Sequence, residues 1–472
     1  MRLKYIIYPL AIIALMVMLN GCEKFTEGFN TSTVAALDAS SQQLFSGAQL
    51  GYMQTFEGGL ARIAAIITQQ ATGAERQYGA YQVYTLTSQD FINDWATAYA
   101  NCFANLKLTE KKAAASAQRN LLGAVQVTEG LEMGTLTALW GDVPYTQAAQ
   151  APLINQPVYD PQTAVYDSVQ ALLSRGIANL TPPVDKTLST DIFSSANSLT
   201  SWTRLGYSAK ARYYMHVARL QSYSAASLNN VITNGLLGII ATDGTQDVSF
   251  IHGSNEGEDE NLWYSFLVDD RSGYMDASVT FAEPMLYYRD VDGKSNDSAR
   301  FAYYYYNAGY WDLNYYTPNG AFQSGNTYPA FRASETLLLI AEAYYRQGDA
   351  ADALTYLNNA RTYANNVFGS NLAPFVAGDL PGASLLQAII NEQYLALAFQ
   401  LEVFDFARRV NYHFTYKDST GVMHSMTPTD QSSVFPQRFL YSQDEITANP
   451  HVPVTTLKEV TTVNSTAVSG GY

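Results

Sequence analysis

The chain has 472 residues, 47% of them hydrophobic and 35 of them tyrosine, which is apolar material enough for a large core. At about 150 residues per domain, that length allows one to three domains. Its formal net charge of −15 excludes nucleic acid and anionic membrane surfaces as main partners, because phosphate must be met by an excess of Lys and Arg.

At the N-terminus, MRLK supplies two positive charges, and the apolar run YIIYPLAIIALMVML follows before NGCEKF. That is the pattern of a secretory signal peptide, here residues 1–21. The run falls short of the ~20 residues that a spanning helix needs. LNGC, with Leu19 and Gly21 ahead of Cys22, resembles a bacterial lipobox, although Asn20 is not the favoured small residue at its place. Cys22 is therefore the expected lipidation site, its thiol taking a diacylglycerol whose acyl chains hold a soluble body at a bilayer. Cys102 then has no partner within the chain. It lies in WATAYANCFANLKLTEKK, where apolar residues at helical spacing predict a buried, inert thiol.

A polar leader runs from Cys22 to the first helix, and from Ser41 to about Leu220 helices of 15 to 25 residues are predicted. One carries Leu121, Ala124, Val125 and Thr128 on a stripe and stops at GDVPY. A second carries Val165, Val169, Leu172 and Leu173. The third, SWTRLGYSAKARYYMHVARL, is predicted to be N-capped by Ser201. From about Asn229 to Tyr328 Gly, Asn, Asp and Ser become frequent and strands, if present, are short; long structured loops of this kind tend to carry function.

Helix returns in SETLLLIAEAYYRQGDAADALTYLNNARTYA, two helices around a turn at Gly348. Ile340, Ala341 and Tyr344 face Ala353, Leu357 and Ala360, the spacing of a tetratricopeptide-like pair in which small residues let two helices approach. ASLLQAIINEQYLALAFQLEVFDFARRV reads as one long amphipathic helix, and the tail from Asn411 as irregular.

Chemistry is sparse. The five histidines, at 216, 252, 413, 424 and 451, have no metal-ligand spacing, so no metal and no cofactor are expected. DGKS at 292–295 lacks the upstream glycine of a phosphate loop and reads as a turn; DVDGKSND is oxygen-rich but lacks the calcium-loop pattern. Carboxylate pairs of the glycosidase kind are not decided by sequence, and Glu256, Glu258, Asp259 and Glu260 read as a solvated acidic loop.

The aromatic residues are the informative feature. FAYYYYNAGYWDLNYY, residues 301–316, holds a dense run of rings. Four consecutive tyrosines cannot all face one way in a strand, so some of Tyr303–Tyr306 are core. Tyr310, Trp311, Tyr315 and Tyr316 lie beside turn residues and are candidates for a stacking surface, as are Trp263 and Tyr264 after the acidic loop. A second patch, ERQYGAYQVY, offers Arg76, Tyr78 and Tyr81 around Gly79 in a predicted loop. Flat, stiff rings lose little entropy on binding, and they suit the C–H faces of sugars, with hydroxyls meeting nearby Asn, Gln, Arg and Asp.

Several segments, in order along nearly the whole chain, resemble the SusD/RagB family of outer-membrane nutrient-binding lipoproteins, particularly its SusD-like branch. They are LNGC; WATAYANCFANLK, with Trp95 and Tyr99; LWGDVPY; WTRLGYSAKARYYMHVA, with Trp202 and Lys210; FRASETLLLIAEAYYRQGDAADALTYLNNAR; INEQYLALAFQLEVFDFARRV, with Arg408 and Arg409; and FPQRFLYSQDEITANP. Gln393, Gln437 and Asn20 depart from the usual pattern.

The resemblance implies a mostly α fold: tetratricopeptide-like helix pairs (about 41–228 and 330–412), a loop-rich ligand-binding half (about 229–329) and an irregular C-terminal segment (413–472), in a single domain 22–472. It implies no enzyme activity, a location at the outer membrane, oligosaccharide or sometimes peptide ligands, and a SusC-type TonB-dependent transporter as partner. The reading is a lipid-anchored glycan-capture protein with Arg76, Tyr78, Tyr81, Trp263, Tyr264, Tyr310, Trp311 and Tyr315 at the ligand and Cys22 carrying lipid. The alternatives are a peptide receptor, a lipid-anchored glycosidase and a purely structural helical scaffold.

Overall fold

A computed structural model describes residues 39–183, 192–194, 198–289 and 295–465. The signal-peptide run, Cys22 and most of the DGKS turn lie outside the described residues. Ser41–Tyr472 form one unit.

The helices used below are α1 (Ser41–Glu57), α2 (Gly59–Ile67), α3 (Arg76–Gln82), α4 (Ala104–Ala115), α5 (Arg119–Trp140), α6 (Gln162–Asn179), α7 (Leu199–Ala218) and α8 (Ala225–Gly235). Two short ones, α9 (Ala282–Tyr287) and α10 (Ser298–Tyr304), precede α11 (Ala333–Arg346), α12 (Ala350–Phe368), α13 (Ala383–Ala396) and α14 (Glu402–Arg409). The strands are β1 (Thr72–Gly73), β2 (Val248–Phe250), β3 (Met275–Asp276), β4 (Tyr305–Asn307), β5 (Trp311–Leu313), β6 (Tyr328–Phe331), β7 (Thr415–Lys417) and β8 (Met423–Ser425). They pair only two at a time, antiparallel: β1–β3, β2–β6, β4–β5 and β7–β8. Among the described residues no helix is long and apolar enough to cross a membrane.

The scaffold is built of helix pairs, α5 with α6, α7 with α8, and α11 with α12. Glycines set how closely they pack. A Cβ on Gly123 of α5 would come 2.8 Å from the carbonyl of Gly176 on α6, and one on Gly134 would come 2.2 Å from the Tyr213 ring of α7. α5 is buried nearly all round, not along one stripe, because α4, α6 and α7 all pack on it. The turn between α11 and α12 uses Gly348 at φ +87°, and Asp349 caps α12 by accepting the Asp352 N–H at 3.0 Å.

Two helix boundaries differ from the sequence expectation. The N-cap of α7 is Ser198, not Ser201: its hydroxyl accepts the Ser201 N–H at 3.4 Å. The long helix ending in ARRV is broken between α13 and α14. Phe399, at φ +60°, receives the Tyr328 hydroxyl on its carbonyl at 2.5 Å and donates its N–H to Gln70 Oε1 at 2.6 Å. Its ring packs among Trp263, Tyr304 and Phe322. A core contact thus overrides helical periodicity.

Buried ion pairs lock the helices together. Arg212 of α7 grips Glu335 of α11 with two bonds, 2.6 and 2.7 Å. Glu402 of α14 accepts His216 Nε2 at 2.7 Å, and His216 Nδ1 meets the Tyr166 hydroxyl of α6 at 2.9 Å. Burial holds His216 below its ordinary pKa, so it is the neutral ring that spans α6, α7 and α14. Arg409 of α14 grips Glu342 of α11 at 2.5 and 2.6 Å, with Arg346 on the same carboxylate at 2.7 Å. Arg408 donates to Gln437 O and Ala138 O, both at 2.7 Å, so the C-terminal segment is tied to the end of α5. Cys102 is buried, and burial followed by Glu132 pushes its thiol well up.

Gly134→Ala should lower the unfolding free energy by about 1–3 kcal/mol, read from urea denaturation, because neither the helix nor the Tyr213 ring has room to give. A second expectation concerns pH. Burial alone would raise the Glu342 carboxyl, but Arg409 and Arg346 outweigh it and hold it at about 2. A depressed carboxylate contributes stability that is whole above its unfolded value and lost as the pH falls toward the folded one. The stability difference between wild type and Glu342→Gln should therefore shrink between about pH 5 and 2, by on the order of 3 kcal/mol; a constant difference would mean that the pair is not ionic.

Candidate functional site

The densest run of rings in the sequence folds as a hairpin. Tyr305 pairs with Leu313, Tyr306 with Asp312 and Asn307 with Trp311. Gly309 at the turn has φ +99°, a conformation that strains any residue with a Cβ, and its N–H donates to Asn307 Oδ1 at 2.9 Å. Tyr304 closes α10, and strand alternation then separates Tyr305 from Tyr306. Tyr304 and Tyr305 turn into the core, whereas Tyr306 is 37% exposed.

Asn314 then folds the chain back. Its side chain donates to Ala302 O at 2.5 Å and to Thr317 Oγ1 at 2.8 Å, and accepts the Thr317 N–H at 3.1 Å. Tyr316 is thereby laid on Tyr306, with ring centroids 4.8 Å apart, and Tyr315 on Tyr316, 4.2 Å apart, both at 25°. Asp312, itself buried, accepts the hydroxyls of Tyr316 at 2.7 Å and Tyr315 at 3.2 Å, so one carboxylate holds the stack together. Burial raises the Asp312 carboxyl, and the hydroxyls pull against that rise. Tyr310 at the tip is 53% exposed and Tyr316 41%. On the other face of the hairpin Trp311 meets Phe301 edge-on at 5.3 Å and Tyr287 at 6.3 Å, and Tyr287 is exposed.

Thr317, Pro318 and Asn319, directly after the stack, line a cleft of about 1060 Å³. Three charged groups line it: Asp243 is exposed and accepts the Thr245 N–H and hydroxyl at 3.0 and 2.7 Å, and the other two are committed to the fold. Arg332 donates to the Tyr304 hydroxyl at 2.8 Å and lies over the Phe368 ring at 5.2 Å. Asp247 accepts the Ala333 N–H at 2.9 Å and the Tyr363 hydroxyl, and burial lifts its carboxyl to about 6. What the cleft offers a ligand is mainly amide and hydroxyl groups, from Asn319, Asn326, Asn366, Thr245 and Thr317. Its size suits an extended ligand, since whole small-molecule sites occupy roughly 300–1,000 Å³.

The structure brings together four of the predicted residues, Tyr310, Trp311, Tyr315 and Tyr316, on and just after this hairpin. Arg76, Tyr78 and Tyr81 lie on α3, which is a helix and not a loop. Arg76 is exposed, but helical spacing turns both tyrosines inward. Tyr78 packs on Phe266 at 4.8 Å and accepts Arg62 Nε at 3.2 Å; Tyr81 donates to Asp90 Oδ1 at 2.6 Å. Trp263 is wholly buried between Phe322 and Phe399, and Tyr264 beside it is half-buried. The rings of Tyr78, Tyr81 and Trp263 are buried and present no free face. Tyr306, Asp312 and Tyr287 were not singled out, although alternation from an inward Tyr305 points Tyr306 outward opposite Asp312.

A family model described as SusD-like, starch-binding and associating with the outer membrane, matches residues 31–441. Solved structures share the fold. A SusD/RagB family protein from Bacteroides thetaiotaomicron is 19% identical, with TM-score 0.63, covering 88% of this chain and 95% of its own. A chitin-binding SusD homolog from Flavobacterium johnsoniae is 16% identical, with TM-score 0.66, covering 87% and 93%. A SusD homolog from Bacteroides fragilis is 14% identical, with TM-score 0.67, covering 90% and 100%. No curated protein sequence matches this chain.

The Tyr315 hydroxyl is pushed up to about 12 by burial and by Asp312, and Tyr316 is raised by the same causes with Tyr315 added. Asp312→Ala removes one of these causes and leaves burial in place, so both hydroxyls should fall part of the way back. Phenolate absorbance in an alkaline titration should therefore rise at lower pH in Asp312→Ala than in wild type; superimposable titrations would mean that Asp312 does not hold the pair.

Proposed function

The chain belongs to the SusD-like family of starch-binding proteins associating with the outer membrane, and from that premise we propose that it captures oligosaccharides at the cell surface and delivers them to a SusC-type TonB-dependent transporter. The observation that carries the reading is the exposed stack of Tyr306, Tyr316 and Tyr315 on Asp312, beside a cleft whose ligand-facing groups are mostly uncharged.

A sugar ring stacks its C–H face on an outer ring of the tyrosines or on Tyr310, and its hydroxyls pair with the amides and hydroxyls of the cleft. Because Asp312 and Asn314 already hold the rings, little conformational entropy is lost when the ligand arrives. Nothing in this scheme breaks a bond: binding is reversible and the ligand leaves unchanged. That one similar fold belongs to a chitin-binding protein supports a glycan over a peptide. LNGC supports attachment through lipid on Cys22, which keeps the captured glycan at the membrane that holds the transporter.

The test is direct titration of residues 23–472, without lipid, against neutral glycans, charged glycans and peptides, with each ligand re-analysed for cleavage afterwards. Tyr306→Ala and Tyr310→Ala should each weaken glycan binding about 3- to 10-fold, the worth of one aromatic contact, with the circular dichroism unchanged. Wild-type affinity in both variants would put the platform elsewhere; a bound peptide, or a glycan returned in pieces, would overturn the use proposed for it.

A further inference from the structure

Away from the tyrosine stack, a second cluster of buried charge joins the short helices α9 and α10 to the scaffold. Arg289, Arg300 and Arg361 converge on Asp297 and Glu392. Arg300 engages both carboxylates: its Nε lies 3.1 Å from each oxygen of Asp297, and Nη1 and Nη2 each lie 3.1 Å from Glu392 Oε1. Arg289 donates to Glu392 Oε2 and stands 3.6 Å from Asp297.

Arg361 is the cation left over. Glu392 Oε2 is 3.9 Å away, beyond hydrogen-bond distance, and its bonds go to Ala373 O at 3.1 and 2.6 Å and to Ser295 Oγ at 3.0 Å. Within this cluster, among the described residues, three guanidiniums thus meet two carboxylates, on side chains at most 14% exposed. A buried charge without a counter-charge is costly. Burial and the neighbouring Arg289 draw Arg361 down to about 10.

The surplus does not face solid protein. Arg289, Arg361 and Lys417 all line a cavity of about 220 Å³. Tyr288 and Tyr416 line it too, their rings within 12° of parallel and 6.3 Å apart. The volume is below the roughly 300–1,000 Å³ of whole-ligand sites, so it has room for one substituent or one small molecule. Guanidinium groups meet carboxylate and sulfate in a fork of matching geometry, and ring walls suit the flat side of a sugar.

We propose that this cavity binds a single anionic group, a carboxylate or a sulfate, borne either by a small organic acid or by an acidic sugar. The site is separate from the tyrosine stack, so the two readings stand or fall independently.

Calorimetric titration of the protein without its signal peptide would use sodium glucuronate, sodium acetate, sodium sulfate and glucose at constant ionic strength. Glucuronate should bind at least tenfold more tightly than glucose and raise the melting temperature. Acetate and sulfate matching glucuronate would assign the site to the bare anion; glucuronate exceeding acetate by tenfold or more would assign it to an acidic sugar. Ala388→Leu, which fills the cavity from α13 without touching a charge, should abolish the response. Arg361→Gln should do the same, and if that variant does not fold, Ala388→Leu alone decides. Glucuronate binding no tighter than glucose, or binding unchanged in Ala388→Leu, would overturn the proposal, the counter-charge then coming from the chain itself.

Discussion

An arginine buried between helices must find a carboxylate, and most of this architecture follows from that requirement. Arg212 and Arg409 reach from α7 and α14 to Glu335 and Glu342, both on α11 and two turns apart. Breaking such a pair from one side leaves an uncompensated charge and costs about 3–5 kcal/mol, so the pairs act as register pins more than as a net source of stability. Once α11 is pinned, α12 follows through the Gly348 turn, and β6 is set directly ahead of α11. Arg332, at the junction, carries the same order outward, reaching Tyr304 beside the hairpin.

The short-element half obeys a different rule. Its strands are two to four residues long and pair only in twos, so no sheet imposes order. Side-chain amides and carboxylates do that instead. Asn314 closes the turn after β5, and Asp312 gathers two tyrosine hydroxyls. The second arginine cluster ties α9 and α10 to α12 and α13 through Arg289, Arg300 and Arg361. A surface made of exposed rings is only as good as the polar contacts that keep those rings from collapsing into the core. Here those contacts are buried, leaving the rings free to face solvent.

The separation also explains why the sequence segments shared with the SusD-like family do not name a ligand. Glu335, Glu342, Arg408 and Arg409 sit in those segments, and all four are spent on helix packing. The tyrosines of the hairpin lie between those motifs, inside the 31–441 match but in none of the motif segments. Scaffold and platform therefore draw on different stretches of chain, joined by Arg332 and by the arginines beside Glu392.

Amphipathic spacing and small residues were enough to read single helices, and the one pair around Gly348, from sequence, because a helix signals its buried side every three to four residues. The order of the motifs along the chain was likewise legible. Which rings face water was not. Tyr78 and Tyr81 look like a loop patch around Gly79 but turn inward on α3, and Trp263 beside an acidic loop is fully enclosed. The break at Phe399 and the outward Tyr306 depend on partners 71 residues away, at Tyr328, or on a neighbouring strand. By itself the sequence determined the helical frame and the aromatic supply, since both are local properties of composition and period. Only the tertiary structure decided which tyrosines fill the core and which stand on Asp312, because that choice belongs to side chains brought together from distant parts of the chain.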